Sequence, residues 1–297
     1  MLDLIIESRP HDLGGFQVAR LLPYRERRMV GPFIFFDRMG PHDMPVPIPR
    51  STDVRPHPHI GLSTVTYLFS GQMTHRDSTG VEQVILPGEL NWMTAGAAIS
   101  HSERFDGMRL QGGHMDGIQA WVALPEANEE DAPSFAHFDT ARLPVLQDSG
   151  VQARLIAGSA YGLTSPASTR SPLFYVHAEL EAGAHLPLPD RYPERAVFVA
   201  RGSIVLDGKR YGEGQMPVFS GTGAASLQAL EPSRVMLLGG EPVGTRHIWW
   251  NFVSSRKERI EQAKADWLAG RINLPPMDDQ EFIALPAAPK PSAEPMS

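Results

Sequence analysis

His57-Pro58-His59 and His101-Ser102-Glu103 carry four metal-ligand side chains in two pairs, each at positions i and i+2, with 41 residues between the pairs. Alternate side chains of an extended strand share a face, so each pair presents both members to one side. If the two strands line one interior, three imidazoles and one carboxylate converge there. That nitrogen and oxygen set suits Fe(II), Mn(II), Ni(II) or Zn(II), and Cu is a further alternative. On a six-coordinate metal it leaves two positions for a substrate oxygen and O2 or water. A purely structural site ranks last, because such sites close tetrahedrally on four ligands.

The H-x-H pattern alone is weak, since 11 histidines in 297 residues give roughly 0.4 occurrences by chance. Its context strengthens it. Arg55-Pro56 leads into a strand of about ten residues ending at Gly71, and Pro87-Gly88-Glu89 precedes a second strand that carries His101 and Glu103. His75, His114 and His137 stand apart and read as surface or hydrogen-bonded histidines. Met73, Met93, Met108 and Met115 read as core filling before they read as a substrate wall. Neither a G-x-S-x-G elbow, a G-x-G-x-x-G turn nor a Walker sequence occurs, so triad-hydrolase and nucleotide-binding readings have no support.

The elements that must position these residues are short strands. Phe33 to Asp37, Ser63 to Phe69, Gln83 to Ile85 and Ile118 to Ala123 are bounded by Gly, Pro, Asn and Asp, as in an all-β sandwich or barrel. The acidic stretch from Pro125 to Leu146 reads as a linker or surface excursion. Strand-like runs resume at Leu173 to Glu179, Ala196 to Ala200, Ser203 to Leu206 and Val235 to Leu238. VTYLFSGQM and VFVARGSIV form a faint repeat, and superposing Gly71 on Gly202 sets Leu188 and Asp190 where His57 and His59 stand. The second copy is therefore expected to be metal-free.

One helix is legible at about 255–269. Ser255 with Glu258 reads as a capping box, Ile260, Ala263, Trp267 and Leu268 as an apolar stripe, and Gly270 as the stop. It is expected to pack on the second barrel, and Trp249, Trp250 and Phe252 in that barrel or at the domain interface. The Pro/Ala/Ser-rich tail from about residue 287 is expected to be mobile.

Length predicts two domains, drawn at 1–135 with the metal and 136–297 without it. A formal charge of −7 without a basic run argues against direct nucleic-acid binding. The absence of cysteine rules out disulfides and thiolate ligands. Asp3 and Glu7 lie where a signal peptide is basic, and no apolar run nears the ~18 residues of a membrane helix, so the protein is expected to be cytoplasmic, without a membrane.

Five separated blocks resemble the pirin family of the cupin superfamily, in the family's order: FQVARLLPYRERRMVGPFIFFDRMGP, DVRPHPHIGLSTVTYLFSG, LPGELNWMTAGAAISHSER, GIQAWVALP and IWWNFVSSRKERIEQAKADW. The resemblance runs from Phe16 to Leu285. It implies an all-β chain of two cupin barrels (double-stranded β-helix, or jelly-roll) packed face to face, with a short C-terminal helix and one iron in the N-terminal barrel. Carried over by position, the family's ligands fall on His57, His59, His101 and Glu103. Generic cupins place a glutamate at the position of Ser63, so the carboxylate has to come from Glu103.

The activity implied is that of a quercetin 2,3-dioxygenase. Fe(II) would bind the 3-hydroxyl of a small aromatic flavonol, Glu103 would act catalytically by accepting its proton, and O2 would open the ring with release of CO. The alternative implied by other members is a non-catalytic, iron-dependent redox sensor whose partner is a transcription factor or metabolic enzyme. A monomer is expected.

Overall fold

The structure is a computed structural model in which residues 1–12 and 16–286 are described; the expected mobile tail from about residue 287 lies outside them. Almost every element is a strand, and the one α-helix among the described residues is Lys257–Leu268 (α1). Among the described residues no helix is long and apolar enough to cross a membrane.

The chain divides into two compact units that are not consecutive halves. One comprises Met1–Arg9, Ala19–Phe35 and Phe138–Val243; the other comprises Pro10–Val18, Phe36–His137 and Gly244–Ser297, as far as these are described. The histidine pairs and α1 fall in the same unit, so the helix does not belong to the second barrel as expected. Its apolar face (Ile260, Ala263, Trp267) packs with Ile60, Trp249 and Phe252. Sequence order does not reveal this, because a stripe of apolar residues fixes which face is buried but not what buries it.

In this unit the relevant strands are Val54–His59 (β1), Leu62–Ser70 (β2), Met73–Asp77 (β3), Glu82–Ile85 (β4), Leu90–Thr94 (β5), Ile99–Arg104 (β6) and Gly113–Ala123 (β7). β1, β6, β3 and β4 form a four-stranded sheet in that order. β5, β2 and β7 are neighbours in a seven-stranded sheet that also contains Phe33–Met44. The run LSTVTYLFS of β2 is rich in the β-branched and aromatic residues that favour a buried strand. The two sheets enclose a common interior: Trp121 of β7 meets His59 of β1, and Thr66 of β2 reaches Glu103 of β6. Gly61 makes the turn from β1 to β2 at φ +67°, and a Cβ there would stand 2.0 Å from the Val253 carbonyl oxygen. Only glycine fits the position on both grounds.

Met73, Met108 and Met115 are buried with Leu68 and Phe105 in one apolar cluster, and Met93 lies with Ala95 and Ile99 in another. The stretch from Pro125 is no loose linker. Glu129 is buried, 2.9 Å from the buried Arg246 guanidinium, and Ser134–Phe138 is a strand beside β5. The expected capping box at Ser255 does not form. The Ser255 amide and hydroxyl both donate to Glu129, and the helix begins after Arg256 without a side-chain cap.

The other unit has an eight-stranded sheet, with Leu173–Leu180 and Glu194–Arg201 flanking Ser233–Gly240, and a four-stranded sheet containing His185–Pro187. Its core is hydrocarbon, with Phe174, Val176, Leu186, Leu188 and Val197 all buried. Leu188, the counterpart of His57 in the repeat, is part of that core.

Candidate metal centre

Strand register brings the two histidine pairs together. β6 runs antiparallel to β1, with His101 opposite His57 and Ile99 opposite His59; the pairing slips between His101 and Glu103, so that Glu103 meets Val54. His57, His59 and His101 are buried, and each offers a ring nitrogen within 4.8 Å of the others. Glu103 shares their face of β6 but does not join this cluster.

The outer face of β6 is also fixed. Ser100 donates to the Asn273 carbonyl at 2.6 Å, and Ser102 and Arg104 donate to Asp278 at 2.6 and 2.7 Å. The C-terminal segment thus clamps alternate residues of the strand whose other residues face inward. Ile283 N–H continues the clamp on β1 by donating to the Pro56 carbonyl at 2.8 Å.

The ring nitrogens show what the cluster can hold. His57 Nδ1 donates to the Arg55 carbonyl at 2.8 Å, which leaves Nε2 as its ligand atom. Nε2 of His101 is buried without a hydrogen-bond partner, and neither nitrogen of His59 makes a well-aligned hydrogen bond, the Asn251 backbone lying near it. Buried polar atoms are ordinarily paired, so orphaned nitrogens at one point fit a metal. Burial lowers the His57 pKa to about 4, against the hydrogen bond to Arg55. Burial and the neighbouring His57 hold His59 and His101 well below the usual histidine range. At neutral pH the cluster is therefore three neutral imidazoles, the form that donates a lone pair to a cation.

Glu103 is buried too, and burial raises its carboxyl to about 7 against hydrogen bonds from Thr66 and Gln119. Those bonds are long: Gln119 Nε2 donates to Oε1 at 3.3 Å, and Thr66, which lies 2.8 Å from Gln119 Oε1, reaches Glu103 Oε1 only at 3.5 Å. Weak partners do not replace lost water, so burial dominates. Ser63, where generic cupins carry glutamate, is hydrogen-bonded to Thr94 at 3.0 Å.

His75, read from sequence as an isolated histidine, is buried beside the cluster, its Nδ1 3.3 Å from His101 Nδ1. The signal for it was present: His75-Arg76-Asp77 has the same i, i+2 alternation as the two ligand pairs. His114 pairs with Asp43, and His137 Nδ1 bonds Asn91 at 2.8 Å, in keeping with a hydrogen-bonding role.

Residues 15–122 match the family described as Pirin, and residues 175–273 match the Pirin C-terminal cupin domain. A pirin-like protein of Caulobacter vibrioides is 58% identical over 287 residues, covering 96% of this chain and all of that protein. Among solved structures, a protein of Acinetobacter baumannii described as quercetin 2,3-dioxygenase is similar with a TM-score of 0.89 at 30% identity, covering 99% of this chain and 98% of its own. A bacterial pirin of Escherichia coli in complex with nickel(II) shares the fold, with a TM-score of 0.60 at 16% identity over 80% of this chain and 99% of its own. Both units are accordingly cupin domains.

Proposed function

The chain belongs to the pirin family, and from that premise we propose that it is an Fe(II)-dependent dioxygenase that opens the ring of a flavonol such as quercetin with O2. The observation that carries this reading is the convergence of His57, His59 and His101 in a buried cluster of neutral rings, with His101 Nε2 lacking a hydrogen-bond partner. Similarity across 99% of the chain to a protein described as quercetin 2,3-dioxygenase supports the choice of reaction.

In this reading His57 and His101 hold the metal through Nε2, His59 through a ring nitrogen, and Glu103 adds the carboxylate. A divalent metal held there supplies a Lewis acid toward a substrate hydroxyl and, as iron, electron exchange with O2. Gln119 and Thr66 both address Glu103 Oε1, so Oε2 is the oxygen left free to face the metal and the substrate hydroxyl. Trp121, edge-on to His59 with ring centroids 5.1 Å apart, is the aromatic neighbour of the cluster on which a flat substrate would lie. The chemistry is assigned to the unit containing 36–137, and the hydrocarbon-filled unit contributes stability.

Quercetin and its 3-O-methyl ether, compared on the Fe(II)-loaded protein, test the reading. Quercetin is expected to be consumed with O2 uptake and CO release, while the ether, lacking the acidic hydroxyl, is inert. Equal turnover of both would remove the proton-accepting role of Glu103; no turnover of either would leave a metal-bearing binding protein.

A further inference from the structure

The reaction as proposed leaves a buried His/Asp pair unused. His75 and Asp77 lie on β3, which pairs with β6 so that Asp77 stands opposite His101 and His75 opposite Glu103. Asp77 is fully buried, and His75 is 5% exposed. His75 Nε2 lies 3.0 Å from Asp77 Oδ2, and Phe135 stacks on the His75 ring at a centroid distance of 4.5 Å, fixing its plane. The other end of the ring meets His101, Nδ1 to Nδ1, at 3.3 Å.

The proton positions along this chain follow from donor and acceptor inventories. Burial works against ionisation of Asp77, but hydrogen bonds from His75 and Thr79 hold its carboxyl below the ordinary range. A carboxylate only accepts, so His75 Nε2 carries a hydrogen. On the metal-binding reading His101 Nε2 must keep its lone pair for the cation, so the His75 ring, which meets His101 Nδ1 to Nδ1, presents its own lone pair at Nδ1. One proton lies between the two Nδ1 atoms, and it therefore belongs to His101. His101 Nε2, which has no hydrogen-bond partner, keeps its lone pair.

We propose that Asp77 and His75 are positioning residues for the metal, locking His101 as the Nδ1–H tautomer with its Nε2 lone pair facing the site. The proposal rests on the metal-binding reading of His57, His59 and His101. Partners behind a metal-bound histidine commonly set its orientation and tautomer in this way.

Asp77→Asn tests it through an asymmetry of the site. Asp77 Oδ1 already accepts the Thr79 amide at 2.8 Å, the Thr79 hydroxyl at 2.6 Å and the Val81 amide at 3.4 Å. An asparagine must keep its oxygen there, which turns its NH2 toward His75. His75 then carries its hydrogen at Nδ1, and His101 is forced to the Nε2–H form that cannot bind metal. His75→Asn places an amide oxygen near the old Nδ1 and restores an acceptor for His101.

Two readouts apply. Ni(II) affinity by chelator competition should fall about 10 to 100-fold in Asp77→Asn and be largely retained in His75→Asn, the reverse of what packing disruption alone would give. Long-range 1H–15N spectra of metal-free, 15N-histidine-labelled protein should show His101 as Nδ1–H in the wild type and Nε2–H in Asp77→Asn. A wild-type His101 protonated at Nε2, or unchanged Ni(II) affinity in Asp77→Asn, overturns the proposal. If the wild type bound no Ni(II), the metal reading would fail instead, while the tautomer spectra would still decide the relay.

Discussion

Glu103→Gln should stabilise the metal-free protein at alkaline pH while weakening the metal site. Burial holds the Glu103 carboxyl at about 7, against an ordinary 4.5. The folded state therefore binds more protons than the unfolded state between these values, and stability falls as pH rises through the window. At about 1.4 kcal/mol per tenfold change in proton affinity, the ionised carboxylate costs the metal-free fold about 3 kcal/mol above pH 7. Glutamine has the same shape and keeps an oxygen for Gln119 and Thr66, but it does not ionise. Urea unfolding in chelator at pH 5 and pH 8 isolates the effect, because the constant cost of inserting an amide cancels between the two conditions. The stability difference, Glu103→Gln minus wild type, should grow in the variant's favour by about 2.5 kcal/mol from pH 5 to pH 8, because the unfolded carboxyl is already partly ionised at pH 5. A difference that does not change with pH would refute the assignment of Glu103 as a buried, poorly solvated acid.

His57→Ala should abolish metal binding and leave the fold largely intact, since the apolar clusters do not depend on the ring; wild-type metal content by elemental analysis would contradict the ligand assignment. His185→Ala, at an exposed position in the hydrocarbon-filled unit, should leave metal stoichiometry unchanged, and a loss of metal would show a second site. Arg246→Ala should lower the unfolding free energy by roughly 3 kcal/mol, because it strands the buried Glu129 carboxylate without its cation. Denaturant unfolding checks this, and a change under 1 kcal/mol would mean that the Ser254 hydroxyl, which donates to Glu129 at 2.8 Å, and Ser255 suffice as partners.

The three-histidine cluster was legible because strand alternation is a rigid rule: His57, His59 and His101 needed only two strands in register, and the register places His101 opposite His57. Glu103 was legible as a residue on the right face, but side-chain torsion decides which neighbours its carboxylate meets, and no sequence pattern encodes Thr66 and Gln119 as those neighbours. His75 reads from sequence as a surface or hydrogen-bonded histidine because a lone histidine ordinarily is one, and it does bond Asp77, but its H-x-D pattern obeys the same alternation and sets it beside His101. α1 was recognised from its apolar stripe, yet its partner surface and its start were misread. Ser255 is taken by Glu129, 126 positions away in sequence, and such tertiary hydrogen bonds override a local capping signal. The Pro125 to Leu146 stretch looked like a linker from its acids for the same reason: the partners that let Glu129 be buried, Arg246, Ser254 and Ser255, arrive from far along the chain.

The most direct test of a catalytic metal at this cluster is anaerobic purification with metal analysis, followed at once by quercetin turnover on the Fe(II)-loaded protein with O2 uptake and CO measured together. One iron per chain, with CO released and O2 consumed in equal amounts, is the expected result. One metal per chain without turnover would contradict the dioxygenase account and leave the cluster as an iron-dependent sensor.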